Sequence, residues 1–285
     1  METNNLTNKK IIRVFPCRTN ATPTDENVRI RTFPSLFDEA DEVHISVAFK
    51  WDRKWAEFAE KQWRRVAPVK IGGPAYFNTN VGDFIPGMYL KHGYVITSRG
   101  CNNRCWFCSV PLHEGGEIRE LPITNGWKVT DNNLLACSKN HINNVFEMLK
   151  KQPEPPEFVG GLEAKLLNID IALKLKELNP TSMYFAYDTK DDYEPLVNAG
   201  KLLKSIGFKT KNHQLRCYVL IGYKDDTFEK AKKRLIQTIN AGFMPFAMLY
   251  RDESGKNPRE WKRFQEEWVN PKIVAAKMKQ YNFIP

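Results

Sequence analysis

Apolar positions in this chain recur at two spacings, and their alternation predicts a repeated strand–helix order. Ile11-Ile-Arg-Val-Phe15 is a short apolar run stopped by Pro16, a strand. Arg18 to Asp25 is rich in Thr, Asn and Pro, which predicts a loop. Glu42-Val-His-Ile-Ser-Val-Ala-Phe49 predicts a second, buried strand. From Trp51 to Val66, the residues Trp55, Phe58, Ala59, Gln62 and Trp63 fall near helical spacing. Pro68 to Gly73 predicts a third strand ending in a glycine turn. Strand, helix and strand with short links imply a small parallel, Rossmann-like α/β domain over residues 1–90. Ala75 to Gly93, which holds Pro86, Gly87 and Gly93, is the expected linker.

The rhythm then repeats. Strands are expected at Gly93–Thr97, Trp127–Thr130, Glu157–Gly161, Ser182–Tyr187, Leu215–Ile221 and Phe246–Tyr250. Helices are expected near His141–Lys151, Ala164–Leu178, Tyr193–Ile206 and Thr227–Ala241. Six strands with mainly helical links predict an open or partial (β/α)6 barrel over residues 91–251, with function at the C-terminal strand ends. Residues 252–285 form a tail. In it Trp261, Phe264 and Trp268 stand among charges at helical spacing, which predicts a helix over one end of the barrel.

Length and charge narrow the picture. A chain of 285 residues can bury one large or two modest cores. The longest apolar runs, such as Tyr218–Ile221, are too short to cross a bilayer. Met1–Leu6 has no basic or apolar signal character. Both observations predict a soluble, cytoplasmic protein with no membrane partner. The net charge of +10 resides in residues 201–285, where 18 basic side chains face 8 acidic ones. That third is a candidate surface for the phosphates of tRNA or DNA. A solvated helix face accounts for the same residues, since Lys230, Lys232, Lys233 and Arg234 lie opposite Phe228, Ala231, Leu235 and Ile239.

The candidate chemistry lies in Thr97-Ser-Arg-Gly-Cys-Asn-Asn-Arg-Cys-Trp-Phe-Cys108. Cys101, Cys105 and Cys108 have the spacing C-x3-C-x2-C. Three thiolates can hold three irons of a cubane cluster and leave the fourth open, whereas four cysteines are the usual full set. A Cys3His zinc site with His113 uses the same cysteines. It would make the chain a non-catalytic, zinc-binding nucleic-acid-binding protein. A disulfide framework fits poorly in so long a chain without a signal peptide. Cys17, Cys137 and Cys217 are isolated and are expected to act as small hydrophobes.

The C-x3-C-x-aromatic-C run, with Phe107 at its aromatic position, resembles the cluster loop of the radical S-adenosylmethionine (SAM) enzymes. The resemblance implies one [4Fe-4S] cluster on Cys101, Cys105 and Cys108, with SAM chelating the open iron. It implies reductive cleavage of SAM to methionine and a 5'-deoxyadenosyl radical, which abstracts hydrogen from a substrate. An electron donor such as flavodoxin or ferredoxin would be a partner. The partial barrel is that family's core fold. No extra cysteine motif is present, which argues against methylthiolation and against auxiliary clusters. Methylation, rearrangement and dehydrogenation stay open.

The strand ends supply candidate SAM contacts under that resemblance. Asp131, Asn132 and Asn133 could accept hydrogen bonds from the amino group, or form an Asn-rich turn. Gly160 and Gly161, followed by Glu163, allow close backbone approach to a ligand or make a bare turn. Asp188 is a candidate acceptor for the ribose hydroxyls, or a helix cap. Gly222 would give room on an adenine-contacting strand. Asp225, Asp226 and Thr227 are expected to cap a helix. Arg99 and Arg104 flank the cysteines and could face an anion. His113 and Glu114 are candidate proton-transfer groups. The first ninety residues resemble a degenerate cobalamin-binding domain. No D-x-H-x-x-G loop is present, and His44 falls within a strand. A packing role without tight cobalamin binding is therefore expected, with Trp51, Trp55 and Trp63 as core or interface residues.

Overall fold

A computed structural model describes residues 9–76, 82–209, 213–252, 254–256 and 258–281. The opening run Met1–Leu6 and part of the expected linker lie outside the described residues. The first sheet holds β1 (Ile11–Phe15), β2 (Val28–Ile30), β3 (Glu42–Ser46) and β4 (Val69–Gly72) in the order β2-β1-β3-β4, all parallel. Helix α1 (Arg53–Trp63) links β3 to β4. Alternate residues of a strand face one side, so Val43 and Ile45 meet Ala56, Ala59 and Trp63 in a core of their own. Trp63 is fully buried, and its indole N–H donates to the Thr32 carbonyl at 3.1 Å. Trp55 packs on the edge of this core.

The second sheet uses β5 (Tyr94–Val95), β8 (Lys128–Val129), β9 (Glu157–Leu162), β10 (Ser182–Tyr187), β11 (Leu215–Ile221) and β12 (Met244–Leu249). All pair in parallel, and their order in the sheet is their order in the chain. Between β5 and β8 lie β6 (Ser98–Arg99), α2 (Val110–His113) and β7 (Arg119–Glu120), with β6 and β7 forming a short antiparallel pair. The later crossovers carry α3 (Lys139–Lys150), α4 (Ile169–Leu178), α5 (Tyr193–Ser205) and α6 (Phe228–Asn240).

Three of these helices begin where a polar side chain accepts one of the first free backbone N–H groups. Ser138 caps α3, Asn168 caps α4 and Thr227 caps α6. Their apolar stripes, such as Ile142, Val145, Phe146 and Leu149 of α3, bury against one face of the sheet. That face presents Met183, Phe185 and Tyr187 from β10, and Leu215, Cys217, Val219 and Ile221 from β11. The opposite face is polar and aromatic. Tyr184 stacks on Tyr218 at 4.4 Å, Phe246 meets both rings edge-on, and Arg216 Nη1 donates to the Tyr184 hydroxyl at 2.8 Å.

The tail forms α7 (Arg259–Val269) and α8 (Pro271–Gln280). Trp268 is buried in the larger core. Gln265 Nε2 donates to the Ala247 carbonyl at 3.1 Å, so α7 lies along β12. The tail thus covers an edge strand, whose outward carbonyls need partners.

Two expectations change in detail. The strand expected at Gly93–Thr97 stops after Val95, because the amide of Thr97 is taken by the Asp131 carboxylate at 2.7 Å. Arg234 is not on the solvated face of α6. It turns inward, donating to Asp226 Oδ2 at 2.7 Å and to the Leu220 carbonyl at 2.9 Å. No helix among the described residues is long and apolar enough to cross a membrane.

Candidate metal centre at the strand ends

The cysteine loop leaves the sheet after β5 and is held at three points. At its entry, Asp131 is buried and accepts from Thr97 N, Thr97 Oγ1 (2.6 Å) and Ser98 Oγ (2.6 Å). Burial raises the carboxyl pKa of Asp131, and the Ser98 and Thr97 donors work against that rise. At the next turn, Glu114 accepts from Arg99 Nη1 at 2.9 Å, Gly100 N at 3.3 Å and Asn132 Nδ2 at 2.6 Å. Gly100 has φ +81°, and a Cβ there would lie 2.0 Å from the Glu117 carbonyl oxygen. Only glycine fits that position without moving backbone. In the middle of the loop, Glu163 Oε2 accepts from Asn103 Nδ2 at 2.9 Å and from Asn133 Nδ2 at 2.6 Å.

Glu163→Gln keeps the shape and removes the charge on which both amides converge. The loop is expected to loosen, with about 1–2 kcal/mol lost from the urea unfolding free energy. An unchanged midpoint and slope would show that this clamp contributes nothing.

Two of the loop thiols, Cys105 and Cys108, are raised above the ordinary cysteine value. Burial pushes Cys105 up to about 11, and the neighbouring Cys108 and Cys101 add to the rise. Cys108 is raised by burial first and by Cys101 in part. Asn133 Nδ2 points to Cys101 Sγ at 3.9 Å, and Asn133 Oδ1 is buried without a protein partner. No set of three or more His, Cys, Asp or Glu side chains among the described residues is arranged to hold a single metal ion. His113, the fourth ligand that a zinc site would need, has Nδ1 3.2 Å from the Tyr76 carbonyl, and burial lowers its pKa. Cys137 and Cys217 are buried, Cys137 within hydrogen-bond reach of Ser98 at the loop's entry, and Cys17 is half-buried in the first sheet's region.

The other strand-end candidates separate. Asp188 stands at the end of β10, half-buried, and accepts from Leu220 N at 3.0 Å. Burial raises its pKa to about 7, and its charge contributes to the raised thiols of Cys105 and Cys108. It is not the N-cap of the next helix; Asp192 accepts from the amides of Asp188 and Thr189 instead. Gly160 lets two backbones meet, since a Cβ there would lie 2.0 Å from the Asp131 carbonyl oxygen. Gly161 lies in the bulge of β9 and opens on free space. Gly222 has the Trp261 ring of α7 and Leu249 over it, so the room expected above it is occupied by protein. Asp226 accepts from Gly222 N at 2.8 Å and forms a buried ion pair with Arg234.

Phe107 is half-buried and meets Trp106 edge-on at 5.4 Å. Arg104 is exposed. In the first sheet, His44 lies 3.0 Å from Glu42 and 2.8 Å from the Tyr89 hydroxyl. Both ring nitrogens are engaged, so His44 is not presented to a ligand.

Asp131, Asn132 and Asn133 therefore do different work from the shared ligand contact expected of them. Asp131 and Asn132 brace the cysteine loop, and Asn133 joins the Glu163 clamp while its Oδ1 stays buried without a protein partner. Sequence reasoning did not find Glu163 and Glu114 as braces. The signal available was an acid beside each of two Gly-Gly pairs, Glu114 just before Gly115-Gly116 and Glu163 shortly after Gly160-Gly161. No protein-family model matches this chain, and no curated protein matches it.

Proposed function

We propose that the chain is a radical SAM enzyme carrying one [4Fe-4S] cluster on Cys101, Cys105 and Cys108. The carrying observation is three cysteines on one braced loop, at the C-terminal ends of a parallel sheet whose strands run in chain order. That strand order supports a partial (β/α)6 barrel, and active sites of such folds sit at this end. The donor set fits the cluster. Thiolates are its usual ligands, and ligands of a cubane need not converge on one point as a zinc set must. When bound, the cluster supplies the electron for reductive cleavage of SAM.

The chain's own residues do the rest. Raised thiol pKa values mean that loading must release protons, so uptake strengthens with rising pH. The unpartnered Asn133 Oδ1 suits an ammonium group beside Cys101. The Asp188 carboxyl suits a hydroxyl pair near Cys105 and Cys108. Such an enzyme would work in the cytoplasm with a flavodoxin- or ferredoxin-type donor. The first ninety residues would serve packing rather than cobalamin.

Anaerobic reconstitution should give about four irons and four sulfides per chain and broad absorbance near ~400 nm. With dithionite and SAM it should release 5'-deoxyadenosine and methionine even without substrate. One zinc per chain and no colour would overturn the proposal.

A further inference from the structure

Apart from the thiols, the strand ends carry a strip of rings interleaved with cations. Trp106 of the cysteine loop is 61% exposed. Its ring meets Tyr223, after β11, at 5.5 Å and Tyr250, after β12, at 5.9 Å. Each ring has a cation close by in the chain: Arg104 before Trp106, Lys224 after Tyr223 and Arg251 after Tyr250, all three exposed. The Arg251 guanidinium lies 5.4 Å over Trp51, which stacks on Phe49 at 4.8 Å and 6°. The strip therefore runs from the first sheet's unit across the mouth of the second sheet. Among the described residues, neither Arg104 nor Lys224 has an ion-pair partner. Acids also follow two of the cations; of these, Asp252 is turned onto Ser254 at 2.6 Å.

An exposed indole on a loop full of polar residues is costly in water and useful to a flat, apolar ligand face. Cations beside it add attraction for phosphate, and rings with cations form the stacking platform on which a flexible strand of bases lies. A duplex hides its base faces and gains nothing from the rings. An acidic peptide uses the cations alone. We infer that this strip binds single-stranded nucleic acid across the mouth of the second sheet. The inference rests on the rings and cations and not on the cluster reading.

The test is fluorescence anisotropy of labelled oligonucleotides of about 12 nucleotides, as oligo(U) RNA, oligo(dT) DNA and a blunt DNA duplex. The purified full chain is used both as isolated and after cluster reconstitution. Single strands should bind in both forms, tightly enough to lose affinity steeply between about 50 and 200 mM salt. The duplex should bind at least about tenfold more weakly. Trp106→Ala should weaken single-strand binding by about tenfold, and Arg104→Ala and Lys224→Ala should each reduce the salt slope by about one. Lys232→Ala with Lys233→Ala, on the exposed face of α6, should stay within about twofold. RNA-only or DNA-only binding identifies the source of the strand. The inference is overturned by no binding at about 100 μM protein in low salt. It is equally overturned by equal binding of duplex, by unchanged affinity in Trp106→Ala, or by the α6 lysines carrying the loss. Because the readout needs neither cluster nor SAM, its failure is separate from failure of the enzyme reading.

Discussion

Alanine at Cys101, Cys105 or Cys108 is expected to leave the reconstituted chain colourless, with less than about one iron bound. A cubane held by three thiolates has no spare protein ligand, so removing one leaves two corners exposed. The effect should be all-or-none and not graded along the loop. Alanine at Cys17, Cys137 or Cys217 should keep the colour. Cys217 is fully buried among Leu215, Val219 and the α6 stripe, so its replacement should cost about 1–2 kcal/mol of stability for the small cavity. Circular dichroism on every variant separates lost ligand from lost fold. Colour retained in Cys105→Ala, or lost in folded Cys217→Ala, would move the cluster away from the loop.

Asp188→Asn is expected to stabilise the chain in a pH-dependent way. The folded pKa, about 7, stands above the ordinary value of 3.8 because burial penalises the charge. A raised carboxyl contributes full stability below its unfolded pKa and loses it as pH rises through the folded one. Folding of the wild-type chain should therefore weaken progressively from about pH 4 to pH 7. Asparagine keeps an acceptor for Leu220 N and carries no charge. Its stability advantage should widen by about 2–3 kcal/mol between about pH 5 and pH 8, measured by urea unfolding of the metal-free chain. The same change removes a negative charge near Cys105 and Cys108 and should speed their alkylation at neutral pH. A stability gap that is flat with pH would show that Asp188 is ionised and solvated in the fold.

Strands and helices were legible wherever the period was long. β1, β10 and β11 fall at the expected residues, because each is bounded by Pro, Gly or Asp and is apolar throughout on one face. β2 escaped notice, being three half-buried residues with Arg29 at the centre. The β6–β7 pair escaped for the same reason, since Ser98–Arg99 and Arg119–Glu120 carry no apolar signal. The cysteine spacing located the loop but not its braces. Asp131 lies 33 residues from Ser98, and nothing local tells a carboxylate which distant hydroxyl it will meet. Gly222 was expected to give room to a ligand, and that its space is covered was not legible, because Trp261 reaches it from α7 after a long loop. Local pattern fixes elements, whereas partners separated by tens of residues are set by the packing of whole layers.

The chain-order sheet also bears on how the molecule is made. Each strand from β8 to β12 pairs with the sheet strand that precedes it in the chain, so a growing polypeptide always finds its next edge already formed. Loop closure then stays short at every step, and no strand waits for a distant partner. The first sheet departs from strict chain order only at β3, which skips β2 and pairs with β1. During synthesis the advancing edge is the sticky one, and α7 is the element that finally covers it.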